Sequence, residues 1–166
     1  MQTHHKISFK MKGMISMSLD LDFGKANIAE LEEIFNLAGV NREEATGIQA
    51  DNNKEEMISA YQNSLDHGAY FLVARTVDRL IGWVLVDRSM DWFTHRDIGW
   101  ISDVYVKKEF RSQGVAKMLI EQSLAEFKLL GYDDVRLNVF SFNEKAISLY
   151  ERIGFRDVSK FMGIKI

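Results

Sequence analysis

Residues 104–116, VYVKKEFRSQGVA, join an apolar run to a helical pattern through a basic link. The first amides of a helix have no partner within it and lie at the positive end of its dipole, so they can bind a phosphate or pyrophosphate. Gly114 would let such an anion approach the backbone, and small Ala116 would leave the first turn clear. Arg111 and Lys117 add positive charge. The segment therefore predicts an anion site at a helix N-terminus.

Two common phosphate motifs do not fit this segment. A Walker loop ends in Gly-Lys-Ser/Thr, and the dinucleotide fingerprint needs several glycines, whereas Gly114 is the only glycine here. A helix that merely begins at a glycine is the structural alternative. Taken alone, the segment leaves both interpretations open.

A second segment, residues 143–155, NEKAISLYERIGF, follows one predicted strand later. Together the two segments resemble the GCN5-related N-acetyltransferase superfamily. Its acetyl-CoA loop reads Arg/Gln-x-x-Gly-x-Gly/Ala, and its later helix reads Asn-x-x-Ala-x-x-x-Tyr-x-x-x-Gly-Phe. The matching residues are Arg111, Gly114 and Ala116 in the first pattern, and Asn143, Ala146, Tyr150, Gly154 and Phe155 in the second. Lys108 departs from the family, many members of which have proline there.

The resemblance implies acetyl-CoA as co-substrate and no metal. The pyrophosphate would be held by loop amides, and the pantetheine arm would pair with backbone groups of Val104 and Val106 between two splayed strands. Asn143 would reach the pantetheine amides through its side chain, although a helix N-cap is an equal alternative. The implied cofactor-binding residues are Val104, Val106, Arg111, Ser112, Gln113, Gly114, Val115, Ala116, Lys117 and Asn143.

The resemblance also implies that Tyr150 protonates the leaving thiolate. Tyr150 lies two helical turns after Asn143, so both can point along one face toward the cofactor. Packing on the apolar stripe of its helix is the alternative role. The base that deprotonates the amine is predicted to be Asp103, which strand alternation places opposite Val104 and Val106. An ion pair at the sheet face is the alternative for Asp103, and His95 or a water are alternative bases.

The acceptor is predicted from the segments that build the pocket in this family, the first helical hairpin and the loop at 87–97. Carboxylates and aromatic rings there weakly favour a small cationic amine over a peptide N-terminus or lysine, unless these acids are only a solvated surface. The residues concerned are Glu43, Glu44, Asp51, Trp83, Asp87, Asp91, Trp92, Phe93 and Asp97. A non-catalytic CoA-binding sensor or interaction module, and a longer acyl donor, remain open.

The composition excludes some mechanisms and some kinds of partner. The 166 residues contain no cysteine, so acetyl transfer through a protein thiol is excluded, and transfer must pass directly to the amine in a ternary complex. With 21 basic and 24 acidic residues, the net charge of −3 argues against a broad nucleic-acid surface. No signal peptide or long apolar stretch is evident, so we expect a cytoplasmic protein without membrane contact. Whether it is a monomer or a homodimer stays open.

The elements that must position these residues form one predicted domain, residues 1–166, of mixed α/β class. The alternation at 7–19 predicts extended structure, and Asn27 caps a helix that Gly39 should end. A helix at 53–66, strands at 70–75, 80–86 and 98–106, a helix at 114–130, a strand at 134–140 and a helix at 143–152 follow. The residues from 155 to 166 should form a final strand or strands. The long crossover helix requires parallel pairing of its two flanking strands, whereas the tight links before it predict antiparallel pairing, so the sheet is mixed.

Overall fold

The computed structural model describes residues 3–9, 17–49 and 51–166. Within them the order is β-β-α-α-β-β-β-α-β-α, with a short 3-10 turn at Lys108–Phe110. The strands are β1 Thr3–Phe9, β2 Met17–Lys25, β3 Tyr70–Arg75, β4 Leu80–Met90, β5 Asp97–Val106 and β6 Val135–Leu137. The helices are α1 Ile28–Thr46, α2 Asn53–Asp66, α3 Val115–Leu129 and α4 Glu144–Ile153.

The strands form a six-stranded sheet in sequential order, and this confirms the predicted mixed topology. The strands from β1 to β5 pair antiparallel, and β6 joins β5 in parallel across the α3 crossover. The parallel ladder covers only Gly99 to Ile101 on β5, although that strand continues to Val106. The two strands therefore separate at their carboxyl ends, as splayed strands should.

Two apolar clusters cover the two faces of the sheet. One contains Phe127 of α3 together with Val84, Val106 and the half-buried Val104, and α4 packs against it. The other contains Trp83 and Tyr105 and is covered by α1 and α2. Alternation along β5 thus directs Val104 and Val106 toward α3, and Tyr105 toward the α1–α2 hairpin.

Helix α1 begins where the sequence predicts and ends later. The side chain of Asn27 accepts a hydrogen bond from the Glu30 amide, and Glu30 bonds back to the Asn27 amide in a capping box. Gly39 was predicted to stop the helix, but α1 continues to Thr46 and ends at Gly47, whose φ is +68°. A Cβ on Gly39 would lie 3.1 Å from the Lys54 Cβ, so this glycine serves the close packing of α1 on α2.

The predicted strand after α4 is absent from the structure. Residues 155–166 have no ladder partner among the described residues, and their apolar side chains after Phe155 are exposed rather than packed. Without burial, alternating apolar residues do not make a strand. The other predicted elements shift only at their ends: β4 runs four residues further, to Met90, and β6 is shorter than predicted.

The extended N-terminal segment is divided between β1 and β2, and Met11 and Ile15 of the predicted alternation lie outside the described residues. No helix within the described ranges has the length and apolar character that a membrane span requires.

Candidate active site

The loop between the 3-10 turn and α3 presents a concave run of backbone amides. Ser112 and Gly114 both have positive φ, +60° and +82°, so successive N–H groups turn toward one side. Among the residues that the structure describes, none accepts a hydrogen bond from the amides of residues 112–116. Apart from its chain neighbours, no described residue has a heavy atom within 4 Å of where a Cβ on Gly114 would be. This arrangement fits the predicted anion site.

The side chain of Arg111 turns away from these amides, toward the α1–α2 side of the sheet. Its Nε donates to the Val106 carbonyl at 2.7 Å, its Nη2 contacts Glu44 at 2.6 Å, and its guanidinium lies 5.2 Å from the centre of the Tyr105 ring. Lys108 pairs with the same carboxylate at 3.0 Å. Although burial opposes it, hydrogen bonding to Arg111 and Lys108 leaves the pKa of Glu44 lowered. Arg111 thus connects the loop to α1 through Glu44, and the amides of residues 112–116 stay available for an anion.

Beside the loop, one edge of β5 is open at its carboxyl end. Val104 and Val106 pair with Val84 and Gly82 of β4, while β6 has already diverged from the other edge. The Oδ1 atom of Asn143 accepts from the Ala146 amide at 3.2 Å and caps α4. The capping role predicted as one alternative is therefore present, and the Nδ2 group is not used by that cap.

Asp103 lies at the centre of a set of hydrogen-bond donors. Asn41 of α1 reaches both carboxylate oxygens, Oδ1 at 2.9 Å and Oδ2 at 2.8 Å. The hydroxyl of Tyr61 from α2 and the indole N–H of Trp83 from β4 each donate to Oδ2 at 2.7 Å. Burial raises the pKa of Asp103, while these three donors act in the opposite direction.

Tyr150 of α4 is half-buried and packs edge-on against Phe155 and against the cluster that contains Val104. No residue in the described ranges accepts a hydrogen bond from its hydroxyl. Burial, and then the negative charge of Asp103, raise the pKa of Tyr150 to about 12. A carboxylate and a phenol with opposing tasks in proton transfer are thus close enough to influence each other beside the open edge of β5.

Comparison with known proteins identifies the family. The acetyltransferase (GNAT) family model matches residues 23–155, most of the chain. The chain belongs to this family. A predicted acetyltransferase from Clostridium acetobutylicum, solved with acetyl-CoA, has the same GNAT fold: it superposes with a TM-score of 0.68 at 15% identity, over 87% of this chain and 96% of that one.

Two relatives carry named activities on different amines. Thialysine N-epsilon-acetyltransferase of pig, Sus scrofa, is 35% identical over 85 residues, which are 51% of this chain and 49% of that protein. N-alpha-acetyltransferase 30 of Schizosaccharomyces pombe is 36% identical over 89 residues, 52% of this chain and 57% of that protein. The chain thus aligns with only about half the length of each.

Several residues predicted for the acceptor pocket of this GNAT protein lie elsewhere. Trp92 and Phe93 occupy the β4–β5 turn, six residues or about 20 Å along β5 from Asp103, and His95, the alternative base, lies in the same turn. The Asp91 carboxylate is engaged there by Arg136 at 2.7 Å. Glu44 instead reaches the donor loop, and Trp83 is buried and bonds Asp103. The loop residues therefore do not gather around Asp103.

Three residues that contact Asp103 were not predicted as a group: Asn41, Tyr61 and Trp83. Trp83 was predicted only for the acceptor pocket, and Tyr61 is a buried residue of α2. Asn41 follows the glycine that was expected to end α1, yet it lies three residues after buried Ala38 and so on the same helix face. A polar residue on a buried face was the signal. The described ranges contain no His, Asp and Glu cluster suited to a metal ion.

Proposed function

We propose that the protein is an N-acetyltransferase that moves an acetyl group directly from acetyl-CoA to a primary amine within a ternary complex. The observation that carries the proposal is the position of Asp103 and Tyr150 beside the open edge of β5, next to a loop of unused amides. Family membership and the activities of both named relatives support it.

In this proposal the donor occupies the side of the sheet covered by α3. The amides of Ser112, Gln113, Gly114, Val115 and Ala116 hold the pyrophosphate, and Lys117 adds positive charge at the first turn of α3. The Arg111 amide, which was predicted to join them, donates instead to the Lys108 carbonyl at 3.3 Å. The backbone of Val104 and Val106 pairs with the pantetheine arm, and the Nδ2 group of Asn143 donates to it. The bound co-substrate supplies the activated acetyl group as a thioester.

Asp103 acts as the general base. An amine is largely protonated at neutral pH and must lose a proton before its lone pair can attack the thioester carbonyl. The raised pKa of Asp103 makes this carboxylate a better proton acceptor than an exposed aspartate. Attack forms the C–N bond, and collapse of the adduct breaks the C–S bond while the nitrogen releases its second proton to solvent.

Tyr150 assists the departure of the thiolate. A phenol with a pKa of about 12 is a weaker acid than a thiol with a pKa of about 8.5, so complete proton transfer is uphill while Asp103 is charged. Once Asp103 has taken the proton of the amine, its charge is neutral and one cause of the raised pKa disappears. The base therefore strengthens the acid by acting first.

A small cationic amine is our first candidate for the acceptor, because the Asp103 carboxylate offers a negative charge at the site. A peptide N-terminus or lysine is the second candidate. The two relatives divide along the same line, one named for the side-chain amine of thialysine and the other for an N-alpha amine.

The proposal is tested by following free thiol release from acetyl-CoA with thialysine, a polyamine and a peptide with a free N-terminus. We expect amine-dependent release with at least one of them. Binding of acetyl-CoA without release on any amine would instead support a CoA-binding sensor or interaction module.

A further inference from the structure

Asp103 accepts hydrogen bonds from three buried side chains, Asn41, Tyr61 and Trp83, whose polar groups are not needed for apolar packing. Asn41 and Tyr61 are 3% and 2% exposed, and Trp83 is fully buried, so all three polar groups lie within the apolar interior between the helical hairpin and the sheet. Buried polar groups are costly unless each finds a partner. Here three donors from α1, α2 and β4 converge on one carboxylate.

The hydrogen bonds are distributed unequally between the two carboxylate oxygens. Among the side-chain donors, Asn41, Tyr61 and Trp83 bond Oδ2, whereas Asn41 alone bonds Oδ1, and the Val104 amide also bonds the carboxylate. A carboxylate oxygen has two lone pairs, so the side-chain donors fill Oδ2, and Oδ1 is the less crowded oxygen. The arrangement fixes the side-chain rotation of Asp103 and decides which oxygen can take a proton.

We infer that Asn41, Tyr61 and Trp83 are positioning residues that hold Asp103 as an oriented carboxylate, with Oδ1 as the oxygen that accepts the proton of the amine. The inference rests on the proposed function, because it assigns Asp103 the role of base. It adds that side chains of the α1–α2 hairpin affect the pKa of Asp103 and the orientation of its carboxylate.

The groups around Asp103 make its titration interpretable. Tyr61 and Tyr150 are the neighbouring ionisable side chains, and burial together with the charge of Asp103 raises the pKa of both, so they stay protonated at neutral pH. Asn41 and Trp83 are neutral. Glu44, one turn after Asn41 on α1, is neutralised by Lys108 and Arg111. The three side-chain donors, together with the Val104 amide, therefore oppose the effect of burial on the pKa of Asp103.

The test is a direct titration of Asp103 by 13C NMR of aspartate carboxyl carbons, with the signal assigned through Asp103→Asn. Loss of a hydrogen bond to the charged carboxylate in Tyr61→Phe should raise the pKa of Asp103 by about one pH unit or more. Asn41→Ala should raise it in the same direction and provides a second variant if Tyr61→Phe folds poorly.

Tyr70→Phe is the matched control, because the Tyr70 hydroxyl donates to the Glu126 carboxylate at 2.8 Å on the other side of the sheet. It should leave the titration of Asp103 unchanged. In thiol-release assays, the acid limb of the pH profile should move upward in Tyr61→Phe and not in Tyr70→Phe.

Unchanged titration of Asp103 in both Tyr61→Phe and Asn41→Ala, or an equal shift in Tyr70→Phe, would overturn the inference that the donors set this base. Failure of the proposed function has a different signature, since the wild-type protein would then release no thiol with any amine while the carboxyl titration could still be measured.

Discussion

In the proposed reaction, Asp103 takes a proton from the amine and Tyr150 gives one to the leaving thiolate. The base lies among donors from the hairpin, and the acid projects from α4 with a hydroxyl that no described residue accepts from. The charge of Asp103 contributes to the raised pKa of Tyr150, so the two groups do not titrate independently. At this scale the chemistry depends on a single hydroxyl and a single carboxylate.

Tyr150→Phe should lower kcat by about a hundredfold, because it removes the proton donor to the thiolate and little else. The affinity for CoA, measured by calorimetry, should stay within about twofold, since the proposed binding groups lie on the loop and on β5. Tyr132→Phe is the control: its ring packs edge-on against Phe127, away from this site, and the change should leave both values unchanged. Equal turnover in Tyr150→Phe and wild type would remove Tyr150 from the mechanism.

At the scale of elements, the sequence predicts the bounds of those helices and strands that depend on local residue patterns. Helix α2 and strand β3 were predicted with the bounds that the structure gives them, because their periodicity and flanking polar residues agree. Gly39 misled the prediction of α1, since only tertiary packing on Lys54 shows that the glycine is a contact and not a stop. The convergence of Asn41, Tyr61 and Trp83 depends on α1, α2 and β4 together, and no local pattern contains it.

The donor loop depends on the left-handed backbone of Gly114. Gly114→Ala meets no atoms but would strain φ +82° by about 1–2 kcal/mol, so we expect the amides to turn and CoA affinity to fall about tenfold. Gly131→Ala, at φ +89° and in equally open space after α3, is the matched control. It should lower thermal stability similarly without changing affinity in calorimetry. If both variants bound CoA like wild type, the loop amides would not be the anion site.

The β4–β5 turn should respond to acid through Asp91. The Phe93 amide and then Arg136 lower the pKa of Asp91 to about 2, so its stabilising effect is present above the unfolded value of about 3.9 and is lost as pH falls toward 2. Asp91→Asn should therefore unfold at a lower temperature than wild type at pH 7, with the difference shrinking between about pH 4 and pH 2. Circular dichroism melts measure this.

Asp133→Asn serves as the comparison, because its pair with Arg96 is long, at 3.4 Å, and largely exposed. Its melting temperature should differ little from wild type at either pH. A difference for Asp91→Asn that persists unchanged at pH 2 would contradict the assigned role of the Asp91 charge.

At the scale of the molecule, the sheet separates the proposed donor side from the side that holds Asp103. Helices α3 and α4 cover the face toward which Val104 and Val106 point, and the hairpin covers the face of Tyr105. Arg111 and Glu44 join the donor loop to α1 across the end of β5. The family and the mixed sheet could be predicted from two short motifs and the element order, whereas the amine could not, because the predicted acceptor residues lie on segments that the fold separates.

Because the 166 residues contain no cysteine, the proposed transfer has no thiol of this chain on which the acetyl group could rest. Rapid quench of a single turnover with 13C-acetyl-CoA, followed by mass spectrometry of protein and acceptor, tests this directly. Direct transfer predicts that label appears on the amine as CoA is released, with the protein unmodified at every time. Label on the protein before the amine, or CoA release with label only in acetate, would contradict it.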